Sequence, residues 1–318
     1  MTKHSFPTIS IVGPTASGKS DLALSLAQRF NGEIVNYDSV QVFRGFDIGS
    51  AKPSLAERQQ VPHHMIDIRN PADLFTAGDY SREGRAALDD IRQKGKVPVL
   101  VGGTGLYLRA LTEGLFHGPV RSSYWRARLE GLAETRGREY LHRLLQRLDS
   151  EAAARIAARD KPKIIRALEV RLETGKSLTE HLKDEPRHPL EGFQIATVGL
   201  DPPREECYRR IDLRVQRMFD AGLVEEVRGL LEQGLPRDAK PLGAIGYRHV
   251  LARLDNFDGV GSWEDTMQMI QRDTRRYAKR QLTWFRRNPK TQWFGGCGDN
   301  KAIEQEVHRW IETFLSDF

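Results

Sequence analysis

Residues 13–20 read GPTASGKS, a complete G-x-x-x-x-G-K-[ST] pattern, and they constrain the fold more than any other stretch. An apolar run, Thr8-Ile9-Ser10-Ile11-Val12, leads into them. An amphipathic segment, residues 19–30, follows with Leu22, Ala23, Leu24, Leu26 and Ala27 as its apolar set. Strand, glycine-rich loop and helix is the context in which backbone N–H groups curl round an anion and a helix N-terminus adds its dipole. Gly13, Pro14, Thr15, Ala16, Ser17, Gly18, Lys19 and Ser20 are therefore expected to bind a diphosphate. In such a loop Lys19 reaches the outer phosphates and Ser20 holds Mg²⁺. ATP or GTP is the usual owner of that diphosphate, yet the strand at residues 97–101 ends in Gly-Gly-Thr-Gly where a motor or switch protein has Asp, and no N-K-x-D is present.

Beyond the loop the chain keeps alternating. Residues 33–36 (EIVN) read as a second strand, residues 64–68 (HMIDI) as a short third, residues 77–94 as a helix stopped by Gly95, and residues 97–101 (VPVLV) as a buried strand. Strands alternating with helices pair in parallel through right-handed crossovers. The fold class is α/β, a P-loop parallel-sheet core flanked by helices. From about residue 121 to 183 the pattern is helix after helix, and strand character returns only at residues 194–200 (QIATVGL). That return predicts an inserted all-helical domain, residues 119–189, between two portions of one core, 1–118 and 190–318.

Composition narrows the setting. Of 318 residues 39% are hydrophobic and 29% charged, as in an ordinary globular protein, and no run of eighteen apolar residues exists to span a membrane. The first seven residues run into a strand and leave no room for a signal peptide. Two distant cysteines, Cys207 and Cys297, build no disulfide framework, and the nine histidines include a pair, His63-His64, but no metal-ligand spacing. A cytoplasmic monomer is the expectation. The net charge of +6 is uneven: residues 119–189 hold sixteen Lys/Arg against eleven Asp/Glu, and residues 272–290 hold eight basic residues against one acid. Such stripes suit a polyanion, and they equally suit a solvated helix face.

In an open parallel sheet, ligands sit beyond the carboxyl ends of the strands. Asp38 and Thr104 each follow a strand and so belong near residues 13–20. Asp38 could be a metal ligand, a general base or a turn-forming residue, and the amide of Gln41 matches an adenine edge. Farther on, Arg210, Arg214 and Arg217 share one helix face. Either a phosphate-rich ligand or the acids Asp212 and Glu225 would offset their repulsion.

Several blocks in order then resemble one family, the tRNA dimethylallyltransferases, also called isopentenyl transferases. They are residues 13–20, 38–53 (DSVQVFRGFDIGSAKP), 62–67 (PHHMID), 101–107 (VGGTGLY), 166–170 (RALEV), 245–248 (IGYR) and 275–284 (RRYAKRQLTW), spanning about Ile9 to Trp293. Phe43 and Ser50 depart from the commoner Tyr and Thr. The resemblance implies transfer of a dimethylallyl group from its diphosphate, with Mg²⁺, to N6 of the adenosine immediately 3′ of the anticodon. It implies Asp38 as general base, assisted by Thr104 and Arg214. It maps tRNA contacts onto Asp38, Ser39, Val40, Gln41, Thr104, Arg126, Pro162, Lys163, Ile164, Ile165, Arg166, Gly243, Ala244, Ile245, Gly246, Tyr247, Arg248, Arg275, Arg276, Lys279, Arg280, Gln281 and Thr283. The helical insertion would embrace the anticodon arm. The rivals are an adenylate isopentenyltransferase, a small-metabolite kinase and an RNA-binding protein with a relic loop. Intact Lys19, Ser20 and Asp38 disfavour the last, and the insertion and basic C-terminal segment favour tRNA over a free nucleotide.

Overall fold

The computed structural model describes residues 5–116, 118–184, 187–255 and 261–318; the signal-peptide reading rests partly on residues 1–4, outside them. Six strands form one parallel sheet: β1 (Phe6–Val12), β2 (Gly32–Asn36), β3 (His63–His64), β4 (Val97–Val101), β5 (Phe193–Leu200) and β6 (Thr291–Phe294), in the order β3-β2-β4-β1-β5-β6. β1 is central because its side chains are wanted on both faces. Ile9 and Ile11 enter one apolar cluster, with α1 (Lys19–Arg29) and α14 (Lys301–Leu315), while Val12 enters the other.

That second cluster is built by α3 (Ala77–Gln93), α4 (Gly105–Thr112), α10 (Arg204–Asp220), α11 (Leu223–Glu232), α12 (Tyr247–Asp255) and α13 (Trp263–Phe285). A short α2 (Leu55–Gln60) starts on a capping box in which the Ser54 hydroxyl accepts from the Glu57 amide and Glu57 answers. Two differences from the sequence reading have local causes. Of the stretch at 64–68 only His64 is strand, in the two-residue β3, because Met65 and Asp67 turn to φ +65° and +55° and the Asp67 carboxylate is pulled to Lys52 and Arg58, each at 2.6 Å. β6, four residues long, was not foreseen and forms where β5 offers a free edge.

The chain divides into two compact units, Met1–Thr112 with Leu190–Phe318, and Glu113–Pro189. The second unit is all helix among its described residues: α5 (Ser123–Arg136), α6 (Arg138–Leu148), α7 (Ser150–Arg155), α8 (Lys161–Thr174) and α9 (Leu178–Asp184). It has a core of its own, with Leu129, Leu141, Leu145, Ile164, Ile165 and Leu168 each at most 2% exposed. Among the described residues no helix is long and apolar enough to cross a membrane.

Candidate active site

β1 and β4 lie side by side, paired as far as Ile11 and Val101, and the loops leaving them meet in one cavity. The N-cap of α1 is Gly18, at φ +76°, and no side chain caps that end. Its first N–H groups stay open to an anion. A side chain at Gly18 would meet the backbone nitrogens of Asp299 and Gly298 at 2.8 and 2.9 Å. The Gly298 amide in turn donates to the Ser17 carbonyl at 2.9 Å. The loop between β6 and α14 thus backs the phosphate loop, a role no sequence signal announced.

Lys19 is 9% exposed, and its Nζ donates to the Pro14 carbonyl at 2.5 Å. Burial, then the neighbouring Arg214 guanidinium, pull its ammonium down to about 7. Arg214 comes from α10 and donates through Nη1 to Thr15 Oγ1 at 3.3 Å. Two cations held together out of water repel each other until an anion arrives. Of the other two arginines on that face, Arg210 is neutralised by Glu206 at 2.6 Å and Asp299 at 2.9 Å, not by Asp212 or Glu225, and Arg217 is exposed. Asp212 pairs instead with Arg275, and Glu225 with Arg228.

Asp38 follows β2. Its Oδ1 accepts the amides of Val40 at 2.8 Å and Gln41 at 3.4 Å, so it does form the turn. Its carboxyl is pushed above the usual range by burial, against the pull of those amides, Arg214 and Lys19. A carboxylate with a raised pKa is a better base. Thr104 stands close by: its Oγ1 accepts the Ser39 amide at 2.9 Å and donates to Ser39 Oγ at 3.1 Å. Two cavities converge here. One of 100 Å³ is lined by Thr15, Lys19, Ser20, Asp38 and Arg214; one of 330 Å³ shares Thr15, Asp38 and Arg214 and adds Thr104 and an apolar wall that includes Ile211, Val215, Met218, Ile245 and Ile270.

Ser20 is exposed to the smaller cavity and is a hard oxygen donor. Among the described residues no group of three or more His, Cys, Asp or Glu could cage a metal. Mg²⁺ suits this donor set because it takes most of its ligands from substrate phosphates and water.

The expected RNA contacts fall into distinct settings. Ser39, Val40 and residues 243–248 line the larger cavity. Arg248 and Arg276 lean on Asp273, at 2.6 and 3.5 Å, while Lys279, Arg280 and Thr283 are exposed on α13. Pro162 and Lys163 are exposed at the start of α8. Arg126 and Arg166 are gathered by Glu169, itself 0% exposed, at 3.2 and 3.3 Å.

Five of the expected contact residues are not free surface side chains. Ile164 and Ile165, each 1% exposed, belong to the core of the helical unit and present no side chain to solvent. Tyr247 lines the larger cavity with its side chain 0% exposed and its hydroxyl donated to Glu226 at 2.6 Å. Gln281 is 4% exposed and lines the smaller cavity. Gln41 spends both amide hydrogens on the carbonyls of Ser50 and Ala51, at 3.0 and 3.1 Å, so bidentate pairing with adenine is not available to it in this conformation. Tyr277 was missed: its hydroxyl donates to the Gly103 carbonyl at 2.9 Å. The signal was its place one turn before Gln281 on the same helix face.

A phosphate cradle and a basic carboxylate opening into shared space at neighbouring strand ends define a P-loop group-transfer enzyme. The family model for IPP transferase matches residues 41–288, and the chain belongs to that family. It is 49% identical over 303 residues to the tRNA dimethylallyltransferase of Koribacter versatilis (strain Ellin345), covering 95% of this chain and 97% of that one. It is similar to the crystal structure of the full-length tRNA isopentenylpyrophosphate transferase from Bacillus halodurans, with a TM-score of 0.71 and 36% identity, covering 98% and 97% of the two chains. A eukaryotic dimethylallyltransferase acting on tRNA gives a TM-score of 0.79 at 26% identity, covering 98% of this chain and 80% of that one.

Proposed function

We propose that this enzyme transfers a dimethylallyl group from dimethylallyl diphosphate to N6 of the adenosine immediately 3′ of the anticodon in tRNA, releasing diphosphate. The observation that carries the reading is that Lys19, Arg214 and the open end of α1 share cavities with Asp38. The N6 lone pair of adenine is delocalised into the ring, which makes it a poor nucleophile. Asp38 takes the N6 proton as the C–N bond forms, a contribution of ~10²–10⁴-fold. The C–O bond to diphosphate breaks and its electron pair leaves with the diphosphate, where Lys19, Arg214 and the α1 amides meet the growing charge. Ser20 would hold Mg²⁺, which when bound would supply further neutralisation of the leaving diphosphate. Thr104 orders Ser39 beside the base.

The apolar wall of the larger cavity keeps water from the allylic carbon. The target base leaves its stack at a cost of ~a few kcal/mol, offset by phosphate contacts from Lys163, Lys279 and Arg280. The helical unit, with its surplus of basic residues, embraces the anticodon arm, and the reaction belongs in the cytoplasm with its tRNA. Incubation with dimethylallyl diphosphate, Mg²⁺ and unmodified tRNA, followed by nucleoside mass spectrometry, tests this. N6-dimethylallyladenosine at the position after the anticodon is expected. Modification of free adenylate alone, or release of γ-phosphate from ATP without RNA, would overturn it.

A further inference from the structure

The sheet ladder ties β1 to β4 only as far as Ile11 and Val101. Past that point one loop carries the phosphate cradle and the other carries Thr104. Gln281, from α13, joins them. Its Oε1 accepts the Thr15 amide at 2.8 Å, and its Nε2 donates to the Gly103 carbonyl at 2.9 Å. Tyr277 donates to the same carbonyl at 2.9 Å. Gly103 is wedged: a Cβ there would lie 2.9 Å from Gln281 Nε2 and 3.1 Å from Asp38 Oδ2. The brace therefore touches the phosphate loop at one end and stands against the base at the other.

We infer that Gln281 is a positioning residue that sets the separation of the phosphate loop from the Asp38–Thr104 pair, and so aligns N6 with the allylic carbon. The inference rests on the transfer reaction proposed above. Reacting atoms must lie ~3–3.5 Å apart, and a displacement of ~1 Å costs ~10²-fold in rate. Because the Gln281 amide is engaged at both ends by backbone groups of the two loops, its loss is expected to spare binding and damage alignment. An allylic carbon that ionises out of register with N6 is captured by water. The C–O bond to diphosphate breaks, the diphosphate leaves with the electron pair, the water oxygen bonds to carbon and its proton passes to solvent, giving an allylic alcohol.

The test compares wild type with Gln281→Met, which keeps volume and loses both hydrogen bonds. It measures dimethylallyl diphosphate and tRNA affinity, single-turnover transfer, and the ratio of allylic alcohol to modified nucleoside. Expected are affinities within about threefold of wild type, transfer slowed ~10²-fold, and a raised alcohol fraction. Transfer at the wild-type rate, or slow transfer with an unchanged product ratio, would overturn the inference alone. A wild-type protein that modifies no tRNA would remove the reaction and the inference together. Should Gln281→Met fail to fold, Tyr277→Phe carries the test through the other hydrogen bond to Gly103, with a smaller rise in the alcohol fraction expected and none overturning the inference.

Discussion

Lys19 and Asp38 are displaced toward neutrality by the same cause. Burial disfavours the charged form of each, so the ammonium falls to about 7 while the carboxyl rises. Arg214 sharpens the first effect and restrains the second. At pH 8, above that value, the free enzyme is expected to hold Lys19 mostly unprotonated, and a diphosphate arriving beside it favours the charged form. Binding dimethylallyl diphosphate at pH 8 should take up close to one proton, and at pH 6, where Lys19 is already charged, its share of that uptake should vanish. Calorimetry in buffers of different ionisation enthalpy reads this directly. Uptake unchanged in Lys19→Ala would assign the proton to another group. Asp38→Asn should leave both substrates bound and slow the chemical step by ~10²–10⁴-fold. A near-normal single-turnover rate in that variant would remove Asp38 from the mechanism.

At the scale of elements, the segment after β2 is shaped from a distance. Glu226 on α11 accepts the amides of Asp47, Ile48 and Gly49, at 3.0, 2.7 and 3.2 Å, and the hydroxyl of Tyr247 on α12. One carboxylate thereby fixes the loop whose residues Ser50 and Ala51 hold Gln41. Each donor orphaned out of water costs ~1–3 kcal/mol, so Glu226→Ala should lower stability by ~2–4 kcal/mol. Urea unfolding would show it, and Glu226→Gln, which keeps one acceptor, should lose less. An unchanged midpoint would mean the loop is held otherwise. The sequence made the strand ends, the phosphate loop and Asp38 legible because periodicity and glycine punctuation are local signals. Glu226 and Gln281 were not legible, because the loop amides Glu226 holds lie 177–179 residues away and the partners of Gln281 lie 178 and 266 away, and only the folded chain brings them together. The basic run around Gln281 disguised it as a surface residue, and helix spacing, read more strictly, would have set it with Tyr277 on the inner face.

At the scale of the molecule, the helical unit can be separated from the core by experiment. The Leu190 amide donates to the Thr112 carbonyl at 2.8 Å, so the core chain leaves and re-enters at one point. Residues 113–189 can therefore be replaced by a short Gly/Ser linker with little cost in loop closure, since that cost grows only slowly with length. The core keeps 33 of the 49 Lys/Arg and 31 of the 43 Asp/Glu, a surplus of two; the excised unit takes sixteen and twelve, a surplus of four. Both sheet-packing clusters lie wholly within the core, so it should fold, bind dimethylallyl diphosphate and retain the proton uptake of Lys19. Its tRNA affinity should fall steeply. Neutralising fewer phosphates releases fewer counterions, so the plot of log affinity against log salt should also flatten, by ~0.9 for each phosphate left unneutralised on duplex and ~0.7 on single strand. Filter binding across a salt series reads both. An unchanged affinity and slope would move the RNA grip wholly to the core, onto the exposed face of α13 that carries Lys279 and Arg280, and a core that fails to fold would make the helical unit part of the scaffold it interrupts.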